Sequence, residues 1–201
     1  MAGLFITLEG MDGAGKSTHI PTILQLLAGR GREVVSTREP GGTPLGEMLR
    51  ELLLHQEMHV HTESLLMFAA RAEHLQQVIL PALKRDAIVL SDRFTDASYA
   101  YQCGARGLPL HKMQQLEQWV QGSLQPDVTL LFDVPVEVSL QRLAGARTPD
   151  KFEAQGAAFF VRLREQYLAR AAQYPQRFRV IDANCSIEEV KKSVEEIISS
   201  L

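Results

Sequence analysis

A glycine-rich run near the start of the chain restricts the possible folds more than any other feature. Residues 10–17, GMDGAGKS, follow the pattern G-x-x-x-x-G-K-[ST]. They come directly after the apolar run 4–8 and before a segment with helical spacing of apolar residues. Glycines let backbone N–H groups turn toward phosphate oxygens, and a helix that begins there adds its positive end. The run therefore predicts a strand, a phosphate-binding loop and a helix in that order.

The rest of the chain repeats this alternation of strand and helix. Short apolar runs rich in β-branched residues indicate strands buried on both faces. These runs span 4–8, 33–37, 87–90, 128–132 and 178–181. Helical spacing of apolar residues marks 45–53, 65–79, 136–144 and 154–174. The alternation predicts an α/β fold, a parallel sheet covered by helices.

Length, charge and cysteine content narrow the class of protein. The 201 residues contain no linker rich in Pro, Gly or Ser and suit one domain with a single core. The formal charge of −3 gives no general basic field, so we expect no nucleic-acid partner. Without a secretory signal or a long apolar stretch, we expect no membrane association. Cys103 and Cys185 are too few for a disulfide framework and indicate a reducing cytoplasm.

Four side chains at or near the loop have the chemistry that phosphoryl groups require. Lys16 would place a charge on the terminal phosphates of a nucleotide, and Ser17 would offer its hydroxyl to Mg²⁺. Asp92 follows the run 87–90, and a carboxylate at a strand end can hold Mg²⁺ through water. Arg93 beside it can reach a phosphate. This pattern alone leaves kinases, switch GTPases and ATPases open.

Further motifs favour one family. The runs TREPGG at 37–42, DRF at 92–94 and AYQ at 100–102, behind LEG at 8–10, resemble the signature set of bacterial thymidylate kinases, which are P-loop nucleoside-monophosphate kinases. The similarity extends from about residue 4 to residue 182. The resemblance implies a five-stranded parallel sheet with helices on both faces. The loop-like stretch 145–149, between two helical patterns of the single domain 1–201, predicts a short lid at about 145–153, with a plain surface connection as the alternative. The resemblance also implies a homodimer, Mg²⁺, and transfer of a phosphoryl group from ATP to dTMP.

The resemblance assigns residues to two nucleotide sites. For ATP it implies the loop, a stacking arginine and the turn after the last strand: Gly10, Met11, Asp12, Gly13, Ala14, Gly15, Lys16, Ser17, Thr18, Arg142, Asp182 and Ala183. For dTMP it implies arginines for the phosphate, an acid near the sugar hydroxyl, an aromatic under the sugar and groups that contact the base: Asp12, Arg38, Glu39, Pro40, Arg50, Phe68, Arg71, Arg93, Ser98, Tyr101 and Gln102. The catalytic set is Asp12, Lys16, Arg93 and Arg147, and the metal set is Ser17 and Asp92.

The base-stacking residue has an alternative. Many relatives carry a phenylalanine four residues before the base-reading arginine, but here Met67 holds that position and Phe68 lies three residues before Arg71. Positions three and four apart share one helix face. We predict that Phe68 stacks on the base, with Met67 as the alternative.

The source of the transition-state charge also has an alternative. Some relatives carry an arginine immediately after the loop aspartate, where this chain has Gly13, so the lid must supply the charge. The lid contains Arg147 and Lys151. Because a guanidinium binds phosphate oxygens in pairs, we favour Arg147 over Lys151.

Other functions have less support. A GTP-binding switch would need an Asn-Lys-x-Asp run, which this sequence lacks. A kinase for dUMP, AMP or GMP stays open, since one methyl group is worth only about 1–3 kcal/mol of discrimination. His59 and His61 lack the accompanying ligands of a metal site.

We predict that the interface of the dimer includes a helix over 62–84, because this segment carries apolar residues over a wide arc.

Overall fold

The predicted strands lie side by side in one parallel sheet. The computed structural model describes residues 3–144 and 150–201. The strands are β1 (Leu4–Glu9), β2 (Val34–Arg38), β3 (Ile88–Asp92), β4 (Val128–Asp133) and β5 (Phe178–Asp182). They pair in the order β2-β3-β1-β4-β5, and every neighbouring pair is parallel. All five predicted strands are confirmed, with ends that agree to within two residues.

Helices connect the strands, as the spacing of apolar residues predicts. Their bounds are α1 (Lys16–Ala28), α2 (Pro44–His55), α3 (Val60–His74), α4 (Leu80–Lys84), α5 (Thr95–Ser98), α6 (Leu110–Gln121), α7 (Val136–Leu143), α8 (Ala157–Gln173) and α9 (Ile187–Ser199). Two π-helical turns, Leu75–Ile79 and Tyr99–Ala105, follow α3 and α5. Across 3–144 and 150–201, each helix is too short or too polar to traverse a bilayer.

Strand β1 illustrates how both faces of the sheet are covered. Phe5 belongs to an apolar cluster with Leu75 and Ile79 from the turn after α3. The side chains of Ile6 and Leu8 alternate with Phe5 and belong to a second cluster, which contains residues of α1 and α9. The predicted α/β fold, a five-stranded parallel sheet with helices on both faces, is confirmed.

Register places the functional ends of the strands at one edge. Leu8 of β1 is opposite Asp92 of β3, and Arg38 of β2 is opposite Asp92 on the other side. Ligands of open parallel sheets bind beyond these carboxyl ends. The three predicted motifs that follow β1, β2 and β3 are therefore brought together in space.

The inward face of α3 is unexpectedly polar. Glu63, Arg71 and His74 are buried, whereas Leu65 and Ala69 point outward. Helical spacing alone would place the leucine and the alanine against the core. The buried polar residues belong instead to a hydrogen-bonded network of the candidate site, which overrides that preference.

Candidate active site

The loop between β1 and α1 has the backbone of a phosphate cradle. Gly10 and Gly13 have φ angles of 135° and 77°, values that favour glycine. A Cβ at Gly10 would lie 2.5 Å from the carbonyl oxygen of Phe132, and one at Gly13 would lie 2.7 Å from that of Ser139. Glycine is therefore required at both positions by conformation and by space.

Lys16 lies beneath this loop and is almost completely buried. Its Nζ donates to the carbonyl oxygens of Gly10 at 2.9 Å and Met11 at 3.0 Å. Burial and the neighbouring Arg93 lower the pKa of Lys16 to about 8, although nearby carboxylates act in the opposite direction. The ammonium group is thus poorly solvated by water, and an anion bound in the loop would stabilise its charged form.

Asp12 connects the loop to two other predicted site residues. Arg93 Nη2 donates to Asp12 Oδ1 at 2.6 Å, and the Tyr101 hydroxyl donates to Asp12 Oδ2 at 2.7 Å. Burial alone would raise the pKa of Asp12, but Arg93, Lys16 and the bond from Tyr101 lower it to about 2. The carboxylate is therefore ionised and held on both oxygens.

Three predicted arginines line one cavity of about 530 Å³, whose wall also contains Lys16 and Asp92. Arg50 Nη1 donates to the carbonyl oxygen of Pro40 at 2.8 Å. Arg38 Nη2 lies 2.7 Å from Glu47 Oε2 on α2. Arg93 is the third. These four cationic groups and the carboxylate of Asp92 can bind phosphates or a metal ion.

Arg71 is the centre of a polar network that includes Glu39, the residue directly after β2. Its Nε donates to Glu39 Oε2 at 2.8 Å and its Nη2 to Ser98 Oγ at 3.0 Å. His74 Nδ1 lies 2.9 Å from Glu39 Oε1. Burial opposes the charge on Glu39, but Arg71 and His74 hold the pKa of this carboxyl below its ordinary value. Sequence reasoning missed His74, since a histidine on a helix face gives no distinguishing signal.

Two buried polar atoms of the predicted base site lack hydrogen-bond partners. They are Arg71 Nη1, a donor, and Gln102 Oε1, an acceptor. Gln102 lines a smaller cavity of about 70 Å³, and its Nε2 donates to Glu63 Oε1 at 3.0 Å. Buried polar groups are nearly always paired in folded proteins. The two atoms therefore indicate a ligand edge that both accepts and donates.

The prediction that Phe68 faces the base is wrong in this geometry. Met67 lines the smaller cavity, whereas Phe68 packs in a separate apolar cluster with Tyr99, Leu108 and Met113. The guanidinium carbon of Arg71 lies 4.5 Å from the Phe68 ring centroid, so this ring supports the arginine. The one-residue difference rotates the side chain by about 100° around the helix.

The predicted adenine site is a third cavity, of about 350 Å³. Arg142 on α7 donates from Nη1 to the carbonyl oxygen of Gly13 at 3.3 Å and from Nη2 to that of Ala183 at 3.1 Å. Thr18 and Ala183 line the same cavity. Asp182 Oδ1 instead accepts from the backbone N–H of Asn184 at 2.9 Å, so its side chain stabilises the turn after β5.

Part of the predicted lid can be described. Lys151 Nζ lies 2.9 Å from Glu63 Oε2 and donates to the carbonyl oxygen of Gln56 at 3.1 Å. It is therefore attached to α3 and to the end of α2. Glu153 lines the large cavity. Arg147 lies outside the described residues.

Fold and site together define a P-loop nucleotide-binding α/β protein. The family model "Thymidylate kinase" matches residues 8–194. The chain is 68% identical to a thymidylate kinase of Methylobacillus flagellatus over 98% of each chain, and 64% identical over full length to one of Cupriavidus metallidurans. The crystal structure of thymidylate kinase from Ehrlichia chaffeensis aligns with a TM-score of 0.81 and 31% identity, covering 100% of this chain and 99% of that one. The chain belongs to the thymidylate kinase family, which confirms the resemblance.

Proposed function

We propose that this protein is an enzyme that transfers the γ-phosphoryl group of ATP to dTMP and yields ADP and dTDP for dTTP synthesis. The observation that carries the proposal is the pair of buried unpartnered atoms, Arg71 Nη1 and Gln102 Oε1. A pyrimidine base offers a carbonyl oxygen at C4 and an N–H group at N3. Pairing the two orphaned groups would recover about 1–3 kcal/mol for each. Met67, Tyr101 and Phe152 provide apolar surface around Gln102 in the same cavity.

The acceptor phosphate has a natural place between the two cavities. Both cavities are lined by Asp12, Arg50 and Arg93. We assign the dTMP phosphate to this junction, with Arg38 as a further donor on the side of β2. A phosphate buried away from water needs several such guanidinium donors.

The donor nucleotide would lie on the other side of the junction. We infer that backbone N–H groups of the loop bind the β and γ phosphates and that Lys16 contacts their bridging region. In the loose transition state charge spreads over the transferred group, so fixed cations stabilise it more than the ground state. Arg142 covers the adenine, and the catalytic set remains Asp12, Lys16, Arg93 and Arg147.

Asp92 and Ser17 fit the metal ion that such a reaction requires. Asp92 Oδ1 is buried without a hydrogen-bond partner, and Asp92 and Ser17 line the large cavity. Among the described residues no cluster of three or more His, Cys, Asp or Glu side chains could hold a metal alone. This set suits Mg²⁺, which keeps several waters and binds through few carboxylates together with phosphates. When bound there, Mg²⁺ would neutralise charge on the phosphates of the donor nucleotide.

An assay over a panel of nucleoside monophosphates tests the proposal. With ATP and Mg²⁺, we expect ADP formation to depend on dTMP and to be slower with dUMP, AMP and GMP. Lys16→Ala should lower kcat/KM by about 10³-fold or more without unfolding the protein, because the loop charge is lost. Lys191→Ala, an exposed position on α9, is the matched control. Faster turnover of another monophosphate would assign a different acceptor.

We also propose a homodimer in the cytoplasm. The outward face of α3 carries Leu65, which is 55% exposed, and neighbouring α6 carries Trp119, which is 81% exposed. Both line one surface groove. These residues support an interface that includes the segment 62–84, and exposed apolar surface of this kind commonly marks a contact between chains. Cys103 and Cys185 are free thiols, as expected in a reducing compartment.

A further inference from the structure

The backbone of Arg93 is held in a conformation that an arginine seldom adopts. Its φ angle is 71°, in the left-handed region, which costs roughly 1–2 kcal/mol for a residue with a Cβ. Its N–H donates to the carbonyl oxygen of Leu8 at 2.9 Å, and its own carbonyl oxygen accepts from Ser91 Oγ at 2.7 Å. Such strain persists only where surrounding bonds enforce it.

Glu9 and Tyr167 add two more bonds at this point. Glu9 Oε1 accepts from the backbone N–H of Phe94 at 2.8 Å, which fixes the peptide directly after Arg93. Glu9 Oε2 accepts from the Tyr167 hydroxyl at 2.9 Å, and the same hydroxyl accepts from Arg93 Nη1 at 3.1 Å. A chain of hydrogen bonds therefore runs from the guanidinium to a fully buried carboxyl group.

The other side of the guanidinium is restrained too. Nη1 also donates to the carbonyl oxygen of Gly10 at 2.8 Å, and the Arg93 guanidinium carbon lies 5.0 Å from the Tyr101 ring centroid. With the bond to Asp12, the arginine has few rotamers left. A preorganised cation contributes more to a transition state than one that must be ordered during the reaction.

We propose that Glu9 and Tyr167 are positioning residues for Arg93. The two residues lie on β1 and α8, 158 positions apart, and β1 ends at Glu9, directly before the glycine-rich loop. Glu9 fixes the backbone after Arg93, and Tyr167 fixes one of its guanidinium nitrogens. Neither residue lines the large cavity. The inference rests on the proposed role of Arg93 at the acceptor phosphate.

Tyr167→Phe tests the proposal because it removes one oxygen atom and keeps the ring. We expect kcat with dTMP to fall about 10-fold, since small displacements of a catalytic group can cost up to about 10²-fold. The KM for ATP should change less than about twofold, because Tyr167 does not approach the donor cavity. Tyr99→Phe is the control, since Tyr99 is also buried and donates to a glutamate, Glu117, without contact to Arg93.

A double-mutant cycle separates positioning from a general structural effect. In an Arg93→Lys background the further loss on Tyr167→Phe should be below about twofold, because the guanidinium that the hydroxyl positions has gone. Glu9→Gln gives a second single variant, and its loss should also shrink in that background. Equal losses with and without Arg93, or a Tyr167→Phe enzyme as active as Tyr99→Phe, would overturn the proposal. Wild-type turnover of dTMP in the same experiment shows that the proposed function itself holds.

Discussion

We propose two separable roles for the side chain of Tyr101, one for its hydroxyl and one for its ring. Its hydroxyl donates to Asp12, and its ring packs against Phe152 at 5.4 Å between centroids and lines the smaller cavity. A ring under the sugar would exclude a 2′-hydroxyl by its volume, whereas the hydroxyl restrains the loop carboxylate. The two tasks therefore respond differently to substitution.

We expect Tyr101→Ala to admit ribonucleotides. The ratio of kcat/KM for 5-methyluridine monophosphate to that for dTMP should rise by about tenfold or more, because a steric barrier is removed. Tyr101→Phe keeps the ring, so the same ratio should stay near the wild-type value while kcat falls. Steady-state kinetics of both variants with both substrates measures these ratios. An unchanged ratio in Tyr101→Ala would limit the residue to a packing role.

Glu9 makes stability depend on pH. Burial and Asp96 raise the pKa of Glu9 to about 8, although Arg93, the Phe94 N–H and Tyr167 act in the opposite direction. Lys16 is a further charge near this group. A raised pKa means that the folded protein keeps a proton which the unfolded chain has lost. The stability that Glu9 contributes is therefore present below about pH 4.5 and is lost as pH rises to about 8.

The Glu9→Gln variant reveals this dependence, because glutamine does not titrate. The free energy of unfolding of the wild type, relative to Glu9→Gln, should fall between about pH 5 and about pH 8, by about 1.4 kcal/mol for each unit of raised pKa. Urea unfolding of both proteins across this range measures it. A constant difference would show that the carboxyl group keeps its ordinary pKa.

At the scale of elements, α3 marks where sequence patterns stop being informative. Helical spacing predicts a helix here, although α3 begins at Val60 rather than at residue 65. Its buried face does not follow from spacing, because Glu63, Arg71 and His74 are buried where they form hydrogen bonds and ion pairs. The π-helical turn Leu75–Ile79 then changes the phase of the helix before α4. A one-residue ambiguity such as that between Met67 and Phe68 cannot be resolved by periodicity under these conditions.

The strands and the glycine-rich loop, in contrast, could be predicted from the sequence. Their signals, a continuous apolar run and the spacing of glycines, lie within a few neighbouring residues, as in 4–17. The contacts of Lys151 with Glu63 and of Tyr167 with Glu9 join distant segments, and a single sequence contains no sign of either. The motif residues of the site were predictable, whereas the residues that hold them in place were not.

The lid provides a test at this scale. Arg147→Ala should lower kcat by about 10²- to 10⁴-fold with dTMP binding nearly intact, as expected for a contact made mainly in the transition state. Lys151→Ala should act chiefly on stability, because it leaves the buried carboxylate of Glu63 without its closest cation. Steady-state kinetics and thermal melting of both variants distinguish the roles. A loss below about fivefold for Arg147→Ala, with a larger one for Lys151→Ala, would reverse the assignment.

At the scale of the whole molecule, the proposed dimer depends on the outward face of α3. We expect the wild type to sediment near twice 22.4 kDa and Leu65→Glu to sediment as a monomer, because a charge would be buried in the interface. Val180→Glu, at an exposed position on edge strand β5, should leave the mass unchanged. A wild type that stays monomeric at micromolar concentration would remove the proposal.

A buried ionic cluster connects α5, α8, β4 and the residue just before β5. Asp96 on α5 accepts from Arg170 Nε on α8 at 2.8 Å and from Arg177 Nη1, just before β5, at 2.5 Å. Arg177 also donates to Thr129 Oγ1 on β4 at 2.6 Å. Together with burial, the negative charge of Asp96 also raises the pKa of Glu9. The cluster therefore connects the stability of the fold with the residue that supports Arg93.

Asp96→Asn should therefore destabilise the protein strongly. The change leaves two buried guanidinium groups, those of Arg170 and Arg177, without their shared negative charge, and breaking a buried ion pair typically costs about 3–5 kcal/mol. Asp86→Asn is the matched control, because Asp86 pairs with Arg32 at the surface and asparagine tolerates its φ of 64°. That change should cost less than about 1 kcal/mol. Urea unfolding of both variants gives the comparison, and equal losses would show that the cluster contributes no more than a surface pair.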